Sequence, residues 1–426
     1  MTSKTSAPET PEDAPDTLTP AVLVVNAGAS QLKFALYPRR DSLGLSALVR
    51  GQIEGLLPGA AMRLVTADGM ALPLTAGATV EVRLAAALKA LQDLIASRAP
   101  QAQVVSVAHR VVHGGPHYRA SVALDEAVVA MLSTLEPMAP LHQAHNLAGV
   151  RALRKAYPKL LQVACFDTSF HATLPKLEQR YALPTELHEQ GMRRYGFHGL
   201  SYDHVIGELR NRSDRSLGRV LMVHLGSGAS ACAAVNGKSV ATSMGFSALD
   251  GLVMGTRSGQ IDPGIVLHLW RQGWSEAEVS KLLYQDSGLL GVSGISSDLR
   301  ELRRAASAGH AASQTAIDLF DYRLKREAGG LCAVLGGIDL LAFTGGIGEH
   351  DAATRAAMAE GLAHLGVRLD LTANLAAKGD RIMPIHAHGS SAEIWVVPTD
   401  EGRVAADAAW ELLDRQPAGR GSVAGK

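Results

Sequence analysis

The chain repeats one short pattern about 200 residues apart. Residues 22–28 (VLVVNAG) recur as residues 220–226 (VLMVHLG), and small residues and a second alternating run follow each copy. This pattern is typical of a strand, a tight turn and a second strand. A repeat of this period predicts two related domains rather than a solenoid, although strand–glycine turns are common enough for one match to arise by chance.

Strand-like and helix-like segments alternate along the rest of the chain, which predicts the α/β class. Residues 84–98 have helical character, residues 104–112 are apolar and strand-like, and residues 301–335 are rich in helix formers. We place the domain boundary near Thr168. The predicted division is a disordered tail (1–20), a first domain (21–168, completed by a helix at 402–415), a second domain (169–401) and a flexible tail (416–426).

Composition narrows the classes of function. The 426 residues contain 41 Lys plus Arg and 41 Asp plus Glu, and this zero net charge argues against a broad nucleic-acid or anionic-membrane surface. Three scattered cysteines fit a reducing cytosol and offer no disulfide framework. The first 20 residues lack the apolar core of a signal peptide. The longest apolar run, residues 329–348, is broken by Asp339 and glycine pairs, so we predict a helix, a turn and a strand.

The first repeated turn has a functional and a structural interpretation. A hairpin containing Gly28 lets backbone N–H groups approach phosphate, and Lys33 adds a positive charge. Asn26 supplies a neutral oxygen that suits a metal-bound phosphate. The alternative is an ordinary hairpin with a surface lysine.

The second repeated turn matches the dinucleotide fingerprint G-x-G-x-x-A at residues 226–231. That fingerprint requires a helix to follow, whereas Asn236 and Gly237 predict a hairpin. We therefore reject a Rossmann site and predict a phosphate-binding hairpin. A P-loop ending at Lys238 is rejected too, because its first glycine would fall at Cys232.

Two charged residues lie at the ends of apolar runs. Arg110 precedes a glycine pair and suits bidentate binding of a carboxylate, although it is also typical of an edge strand. Asp167 is at a common active-site position, and it is equally a common helix cap. His109 and His113 have the spacing of a zinc helix, but the surrounding valines favour a strand, so we reject a metal site.

Further candidates lie in loops and at predicted helix starts. Residues 193–201 and 243–263, which contain His198 and Arg257, lack a regular period and are typical of functional loops. His142 lies in a proline-containing loop, where a structural role is the alternative. Glu401 begins a helix, where it suits either the helix dipole or a metal.

Two more segments suit a nucleotide. Asp298 and Arg300 would hold a ribose or adenine, and the glycine-rich turn at residues 344–350 would let the backbone pass close to it.

These segments, in this order, resemble the acetate kinases of the acetate and sugar kinase, heat-shock chaperone and actin superfamily. The resemblance runs from about residue 22 to residue 413. The matching stretches are NAGASQLKF, AHRVVHGG, APLH, FDTSFH, RRYGFHG, HLGSGAS, TSMGFSALDGLVMGTRSG, SSDLR, FTGGIGEH and PTDEG.

The resemblance implies two duplicated ribonuclease-H-like domains of the sugar kinase and actin type, with ATP and Mg²⁺ (or Mn²⁺) in the cleft between them. It implies reversible, direct in-line transfer of the ATP γ-phosphoryl group to acetate, giving acetyl phosphate and ADP. It further implies a cytoplasmic homodimer without nucleic-acid or membrane partners.

The resemblance also implies a role for each matched residue. Asn26 and Glu401 would position the metal, and Arg110 and His142 would bind the acyl substrate. The catalytic residues would be Asp167, His198 and Arg257. The nucleotide would be held by Lys33, His224, Leu225, Gly226, Ser227, Gly228, Asp298, Leu299, Arg300, Gly346, Ile347, Gly348, Glu349 and His350.

Acetate is already a carboxylate near neutral pH, so a proton acceptor is not needed. We expect Asp167 to orient a group or the metal instead. In-line transfer depends mainly on positioning and positive charge.

The chain departs from the family pattern at several positions. Ala29 and Gln31 replace serines, Ser227 replaces an asparagine, and the remaining departures are Leu200, Tyr202, His350, Asp400 and Gly402. Two alternatives stay open. One is a propionate or butyrate kinase of the same family, because one methylene is worth only about 1–3 kcal/mol. The other is a non-catalytic ATP-binding module, which the lost serines would suit.

Overall fold

A computed structural model describes residues 18–40, 46–140 and 142–416 of the chain. The predicted tails lie outside these residues, apart from residues 18–20 and residue 416. Strand β1 begins at Thr19, two residues before the domain start drawn from the sequence.

The strands of the described residues form two mixed sheets. The first sheet contains β1 (Thr19–Ala27), β2 (Gln31–Pro38), β3 (Val49–Glu54), β4 (Met62–Thr66), β5 (Ala71–Leu74), β6 (Ala102–Val111), β7 (Val122–Ala123) and β8 (Leu161–Phe166). The second contains β9 (Arg219–Leu225), β10 (Ala229–Val235), β11 (Lys238–Thr242), β12 (Leu340–Thr344), β13 (Met383–Pro384) and β14 (Glu393–Val396).

Helices cover both sheets. They are α1 (Val80–Arg98), α2 (Glu126–Ser133), α3 (Gln143–Ala156), α4 (Lys176–Gln179), α5 (Thr185–Glu189), α6 (Gly199–Arg210), α7 (Pro263–Arg271), α8 (Glu276–Gln285), α9 (Gly288–Ser293), α10 (Leu299–Ser307), α11 (Ala311–Leu335), α12 (Gly345–His350), α13 (Ala352–Gly361), α14 (Leu371–Ala376) and α15 (Glu401–Asp414). Short 3-10 helices lie at Glu136–Met138, Ser169–Thr173, Asp214–Leu217 and Ala363–Leu365. Among the described residues, no helix combines the length and hydropathy needed to cross a bilayer.

The two sheets share one strand order. The first runs β5-β4-β3-β2-β1-β6-β8-β7 and the second β11-β10-β9-β12-β14-β13. Each sheet contains a core of three antiparallel strands followed by two parallel ones, so β1 corresponds to β9, β6 to β12, and β8 to β14. The short repeat in the sequence therefore marks a duplication of the whole five-strand core.

Strand β1 is apolar throughout because both of its faces are covered. Leu23 and Val25 pack with the buried leucines of α1. Val22 and Val24 point the other way and pack with Ala405 and its neighbours on α15. The last described helix therefore completes the core of the first sheet.

The second sheet is covered in the same manner. Helix α6 packs Tyr202 and Val205 against β9 on one face, and α11 packs Phe320 and Leu324 on the other. Helices α6 and α15 also contact each other. The two halves of the molecule therefore meet where α6, which covers the second sheet, contacts α15, which covers the first.

Most elements predicted from the sequence are confirmed. The predicted hairpin at Asn236 and Gly237 connects β10 to β11, with φ of 52° and 70°. His109 lies on a strand, so the rejection of a zinc helix stands.

Two local predictions were wrong. Residues 345–350 form a helix rather than a turn, and α6 already begins at Gly199, inside a segment expected to be irregular. A residue with positive φ lies at each of these starts: Gly345 is the first residue of α12, and His198 immediately precedes α6. Periodicity does not reveal such a start.

Candidate active site

A cleft of about 990 Å³ receives residues from both halves of the molecule. Most of the predicted site residues line it, and these are Asn26, Lys33, Arg110, His142, Asp167, His198, His224, Gly226, Ser227, Gly228, Arg257, Gly346 and Glu401. The predicted residues outside its wall are Leu225, Asp298, Leu299, Arg300, Ile347, Gly348, Glu349 and His350. The structure thus brings residues as far apart in the chain as Asn26 and Glu401 into one concave site.

Arg110 is the centre of an ionic cluster. Strands β6 and β8 are parallel neighbours, so their carboxyl ends place Arg110 beside Asp167. The guanidinium donates from Nε and Nη2 to the two Asp167 oxygens at 2.8 and 2.7 Å. Its Nη1 lies 3.1 Å from Glu401 Oε2, at the start of α15.

The charges of this cluster stabilise one another. Burial alone would lower the pKa of Arg110, but the carboxylates of Asp167 and Glu401 outweigh it and raise that pKa. Burial raises the pKa of Asp167, and the bidentate guanidinium opposes the rise. Because the pair is bidentate, we assign both partners as charged near neutral pH.

His198 has a strained backbone that is tied to Asp167. Its φ is +59°, a left-handed conformation that side-chain-bearing residues seldom adopt. The next residue, Gly199, donates its N–H to the carbonyl of Asp167 at 2.8 Å. A Cβ at Gly199 would lie 2.2 Å from that oxygen, so only glycine fits this contact.

Three histidines of the cleft are held in the neutral form. The His198 and His224 rings stack with 4.2 Å between centroids. Burial, followed by His224, Arg110 and Arg257, lowers the pKa of His198 well below its ordinary value. Burial lowers the pKa of His224 to about 4. Burial, with smaller effects from Arg257 and Arg110, lowers the pKa of His142 to about 4.

The turn between β9 and β10 contains two glycines, so it exposes backbone without side chains to the cleft histidines and Arg257. The Gly226 N–H donates to the Gly228 carbonyl at 3.0 Å and closes the turn. A Cβ on Gly228 would lie 3.3 Å from His198 Nε2 and 3.5 Å from Arg257 Nη2. The second glycine therefore keeps open the space between a histidine and an arginine.

Within the described part of the chain, the Arg257 side chain makes one hydrogen bond, from Nη1 to the Ala248 carbonyl at 2.7 Å. Burial lowers the pKa of Arg257, but a guanidinium has so high an ordinary pKa that it stays charged. The other terminal nitrogen faces Gly228 and the cleft.

The turn between β1 and β2 lies across the cleft. Asn26 and Lys33 are cross-strand partners, and Gly28 N–H donates to the Gln31 carbonyl at 2.8 Å. Ala29 and Gln31, two of the departures from the family pattern, also line the cleft.

The oxygen donors of the cleft suit a hard divalent cation. Asn26 and Glu401 supply an amide oxygen and a carboxylate. Within the described part of the chain, no three His, Cys, Asp or Glu side chains form a metal cluster. This sparse set fits Mg²⁺, which commonly takes one or two carboxylates and completes its shell with water and phosphate.

The predicted residues outside the cleft wall have other contacts. Asp298 caps α10 by accepting from Arg300 N–H at 2.8 Å and also pairs with the exposed Arg300 side chain. Glu349 accepts from Gly345 N–H at 2.9 Å and from Thr399 N–H at 3.0 Å. Glu349 therefore ties the start of α12 to the segment that carries Glu401.

Sequence reasoning missed an apolar side of the cleft. Val112, Phe197 and Ala248 line it near the charged groups. Val112 lies two positions after Arg110 and directly follows the last residue of β6. Since side chains two positions apart on a strand share a face, this neighbour could have been found.

The chain matches the model of the Acetokinase family over residues 21–407. The acetate kinase of Rhodopseudomonas palustris (strain TIE-1) is 44% identical over 404 residues, which cover 92% of this chain and 98% of that protein. The acetate kinase of Methylocella silvestris is 44% identical over 410 residues, with 93% and 99% covered.

Two solved structures have a closely similar fold. The acetate kinase of Porphyromonas gingivalis superposes with a TM-score of 0.82 at 35% identity, covering 92% of this chain and 99% of that one. A propionate kinase from Francisella tularensis subsp. tularensis SCHU S4 gives 0.83 at 34% identity, covering 91% and 98%. These matches confirm the predicted fold class, two duplicated α/β domains of the sugar kinase and actin type.

Proposed function

The chain belongs to the acetokinase family, and on that premise we propose that it transfers the γ-phosphoryl group of ATP reversibly to acetate, giving acetyl phosphate and ADP. The observation that carries the proposal is the meeting of Arg110, Arg257 and His198 in one cleft beside a bare glycine turn. Phosphoryl transfer between two anions needs positive charge and positioning rather than covalent help.

Arg110 retains donors for the acyl carboxylate. A guanidinium carries five N–H groups. The hydrogen bonds to Asp167 use two of them, on Nε and Nη2, while Nη1 forms an ion pair with Glu401. N–H groups therefore remain on both terminal nitrogens for the acyl carboxylate. His142 lines the same part of the cleft as a neutral hydrogen-bonding ring.

Asp167 acts on Arg110 rather than on the substrate proton. Acetate is ionised near neutral pH, so the reaction needs no general base. The bidentate contact fixes the plane of the guanidinium, and the backbone of Asp167 holds Gly199 beside His198. Asp167 thereby sets the positions of two groups that meet the reacting atoms.

Arg257 and His198 stabilise the charge of the transferring phosphoryl group. Both face Gly228 from the cleft side, and the low-dielectric site strengthens their effect. Asn26 and Glu401 hold Mg²⁺, or Mn²⁺, which neutralises phosphate charge when it is bound. Lys33 and residues 224–228, 298–300 and 346–350 bind ATP, with the last two segments contributing mainly backbone.

A propionate kinase is the second candidate function. The apolar side of the cleft, formed by Val112, Phe197 and Ala248, faces the methyl end of a short acid. Ala248 is small, which favours room for one more methylene. The structural match to a propionate kinase agrees with this alternative.

A hydroxylamine-trapping assay tests the activity. Purified protein with ATP and Mg²⁺ should give acyl hydroxamate from acetate, with propionate and butyrate run in parallel. Arg110→Ala should lower kcat/KM by roughly 10³-fold or more, because it removes the carboxylate-binding donors and leaves the buried Asp167 and the partly buried Glu401 without their partner.

Arg63→Ala is the matched control. Arg63 lies on the exposed face of β4 and pairs only with Glu54, so its loss should change the rate less than twofold. If propionate gives the most product, the proposed mechanism stands and the preferred substrate is propionate instead of acetate. Nucleotide binding without any hydroxamate would instead favour a non-catalytic ATP-binding module.

We also propose that the domain division predicted from the sequence holds and that the protein works in the cytoplasm. The packing of α15 on the first sheet supports the first point. The use of ATP and the three free, buried cysteines support the second.

A homodimer is supported by the apolar surface of α7. None of its residues is buried, and Ile265, Leu267, Trp270 and the nearby Trp274 are between 39 and 50% exposed. A second copy of this chain that packs on this surface would cover them.

Trp270→Glu should therefore convert a dimer of about twice 44.8 kDa into a monomer at micromolar concentration, as measured by light scattering after gel filtration. Leu177→Glu, at an exposed position elsewhere, is the control and should leave the mass unchanged. A wild-type mass near that of one chain would contradict the proposal.

A further inference from the structure

A chain of two buried hydroxyl groups supports the ring of His198. His198 Nδ1 lies 2.8 Å from Ser230 Oγ, and Ser230 Oγ lies 2.5 Å from the hydroxyl of Tyr202. Ser230 and Tyr202 have no exposed surface, and His198 is 8% exposed. None of these contacts was foreseen from the sequence, where Tyr202 was only a departure from the family pattern.

The hydrogens of this chain can be arranged in two ways. In one, Tyr202 donates to Ser230, and Ser230 donates to His198 Nδ1. In the other, Nδ1–H donates to Ser230 and Ser230 donates to Tyr202, whose own hydrogen then has no acceptor among the described residues. A buried hydroxyl hydrogen without an acceptor incurs the full desolvation penalty, so the first arrangement is favoured.

The first arrangement fixes the tautomer of the histidine. Burial raises the pKa of Tyr202 well above its ordinary value, so its hydroxyl keeps its hydrogen. A neutral imidazole that accepts at Nδ1 carries its hydrogen on Nε2. That nitrogen is the one that lies 3.3 Å from the Cβ position of Gly228, at the cleft.

We propose that Tyr202, acting through Ser230, is a positioning residue that holds His198 as the neutral tautomer with its hydrogen on Nε2, and so directs a hydrogen-bond donor into the cleft. That this donor contacts the transferring phosphoryl group rests on the kinase activity proposed above. The tautomer itself does not depend on that activity.

The surroundings favour a neutral donor over a cation. Burial is the main cause that lowers the pKa of His198, and the positive charges of Arg110 and Arg257 lower it further. A neutral N–H still binds a phosphate oxygen, and it needs no proton exchange during transfer. The ring can therefore contribute the same hydrogen bond before, during and after the reaction.

His224 has a parallel support. Its Nδ1 lies 2.8 Å from Ser201 Oγ, and Thr399 donates its hydroxyl to the same oxygen at 3.0 Å. Ser201 can then donate its own hydrogen to the histidine, and this arrangement places the hydrogen on Nε2 here as well. The same tautomer is thereby favoured in both stacked rings beside the glycine turn.

Nuclear magnetic resonance tests the tautomer directly in the full-length protein. Histidine labelled with ¹⁵N distinguishes the two neutral tautomers and the imidazolium through long-range ¹H–¹⁵N correlations, and His198→Gln assigns the signal. We expect the Nε2–H form in the wild-type protein near neutral pH. Tyr202→Phe should shift the signal toward a tautomer mixture and lower kcat roughly 3- to 10-fold, the effect of one hydrogen bond, with little change in KM.

Tyr195→Phe is the matched control, because it removes a buried tyrosine hydroxyl that donates to the Gly191 carbonyl and has no link to His198. It should leave the His198 signal unchanged. An Nδ1–H form or an imidazolium in the wild-type protein would overturn the proposal, even if Tyr202→Phe failed to fold. An unchanged His198 signal in folded Tyr202→Phe would overturn it too. Absence of hydroxamate formation by the wild-type protein would overturn only the proposed function.

Discussion

Replacing Arg257 by alanine should lower kcat by roughly 10²- to 10³-fold while the KM for acetate changes far less. The guanidinium faces the bare turn at Gly228 together with His198, where charge develops only during transfer. The loss of one such pre-positioned donor typically has an effect of this size. Steady-state kinetics of hydroxamate formation and calorimetric ATP binding would separate the two parameters.

Arg257→Lys provides the matched comparison. It keeps the charge but not the planar fork that reaches both Ala248 and the cleft, so we expect it to recover only part of the lost rate. Since the Arg257 side chain makes one hydrogen bond to the described residues, we expect both variants to unfold near the wild-type temperature. A loss expressed wholly in KM would mean that Arg257 binds substrate and does not stabilise the transition state.

Replacing Arg355 by methionine should destabilise the protein by about 3–5 kcal/mol. Arg355 is fully buried, and no carboxylate of residues 18–40, 46–140 or 142–416 lies within bonding distance of it. It donates to the side chain and carbonyl of Asn374, both at 2.7 Å, and to the carbonyls of Gly348, Glu349 and Ala377 at 2.8–3.1 Å. Methionine preserves most of the volume but leaves these acceptors without donors.

Urea unfolding followed by fluorescence would measure this change. Arg368→Met, at an exposed position in the same half, should alter the unfolding free energy by less than about 0.5 kcal/mol. If Arg355→Met lowers the unfolding free energy by less than about 1 kcal/mol, water hydrogen-bonds to the carbonyls that Arg355 no longer reaches. Because two of those carbonyls belong to α12, we also expect weaker ATP binding in the variant.

The duplicated core could be predicted from the sequence because its signals are local. Apolar alternation and the glycine at each turn mark β1 and β9, and Asn236 with Gly237 marks the hairpin after β10. The helices at residues 84–98 and 402–415 carry a clear period. These features depend on neighbours in the chain, and a single sequence displays them.

The contacts of the site could not be predicted from local pattern alone. Arg110 meets Asp167 only because β6 and β8 are adjacent, and Glu401 joins them from the opposite end of the chain. The left-handed backbone at His198 follows from a tertiary contact of Gly199. The family resemblance identified these residues as candidates, whereas the structure shows the hydrogen bonds and the ion pair that connect them.

The covering of the first sheet by α15 has a consequence for synthesis. The first half of the chain contains Val22 and Val24, but the helix that buries them is the last of the described helices to leave the ribosome. The second sheet draws on residues from one continuous stretch and can close earlier. The usual order, in which the N-terminal domain folds first, is thereby reversed. During translation the nascent chain therefore exposes the apolar strand β1 until α15 emerges. We expect chaperones to bind the exposed apolar surface mainly in that interval.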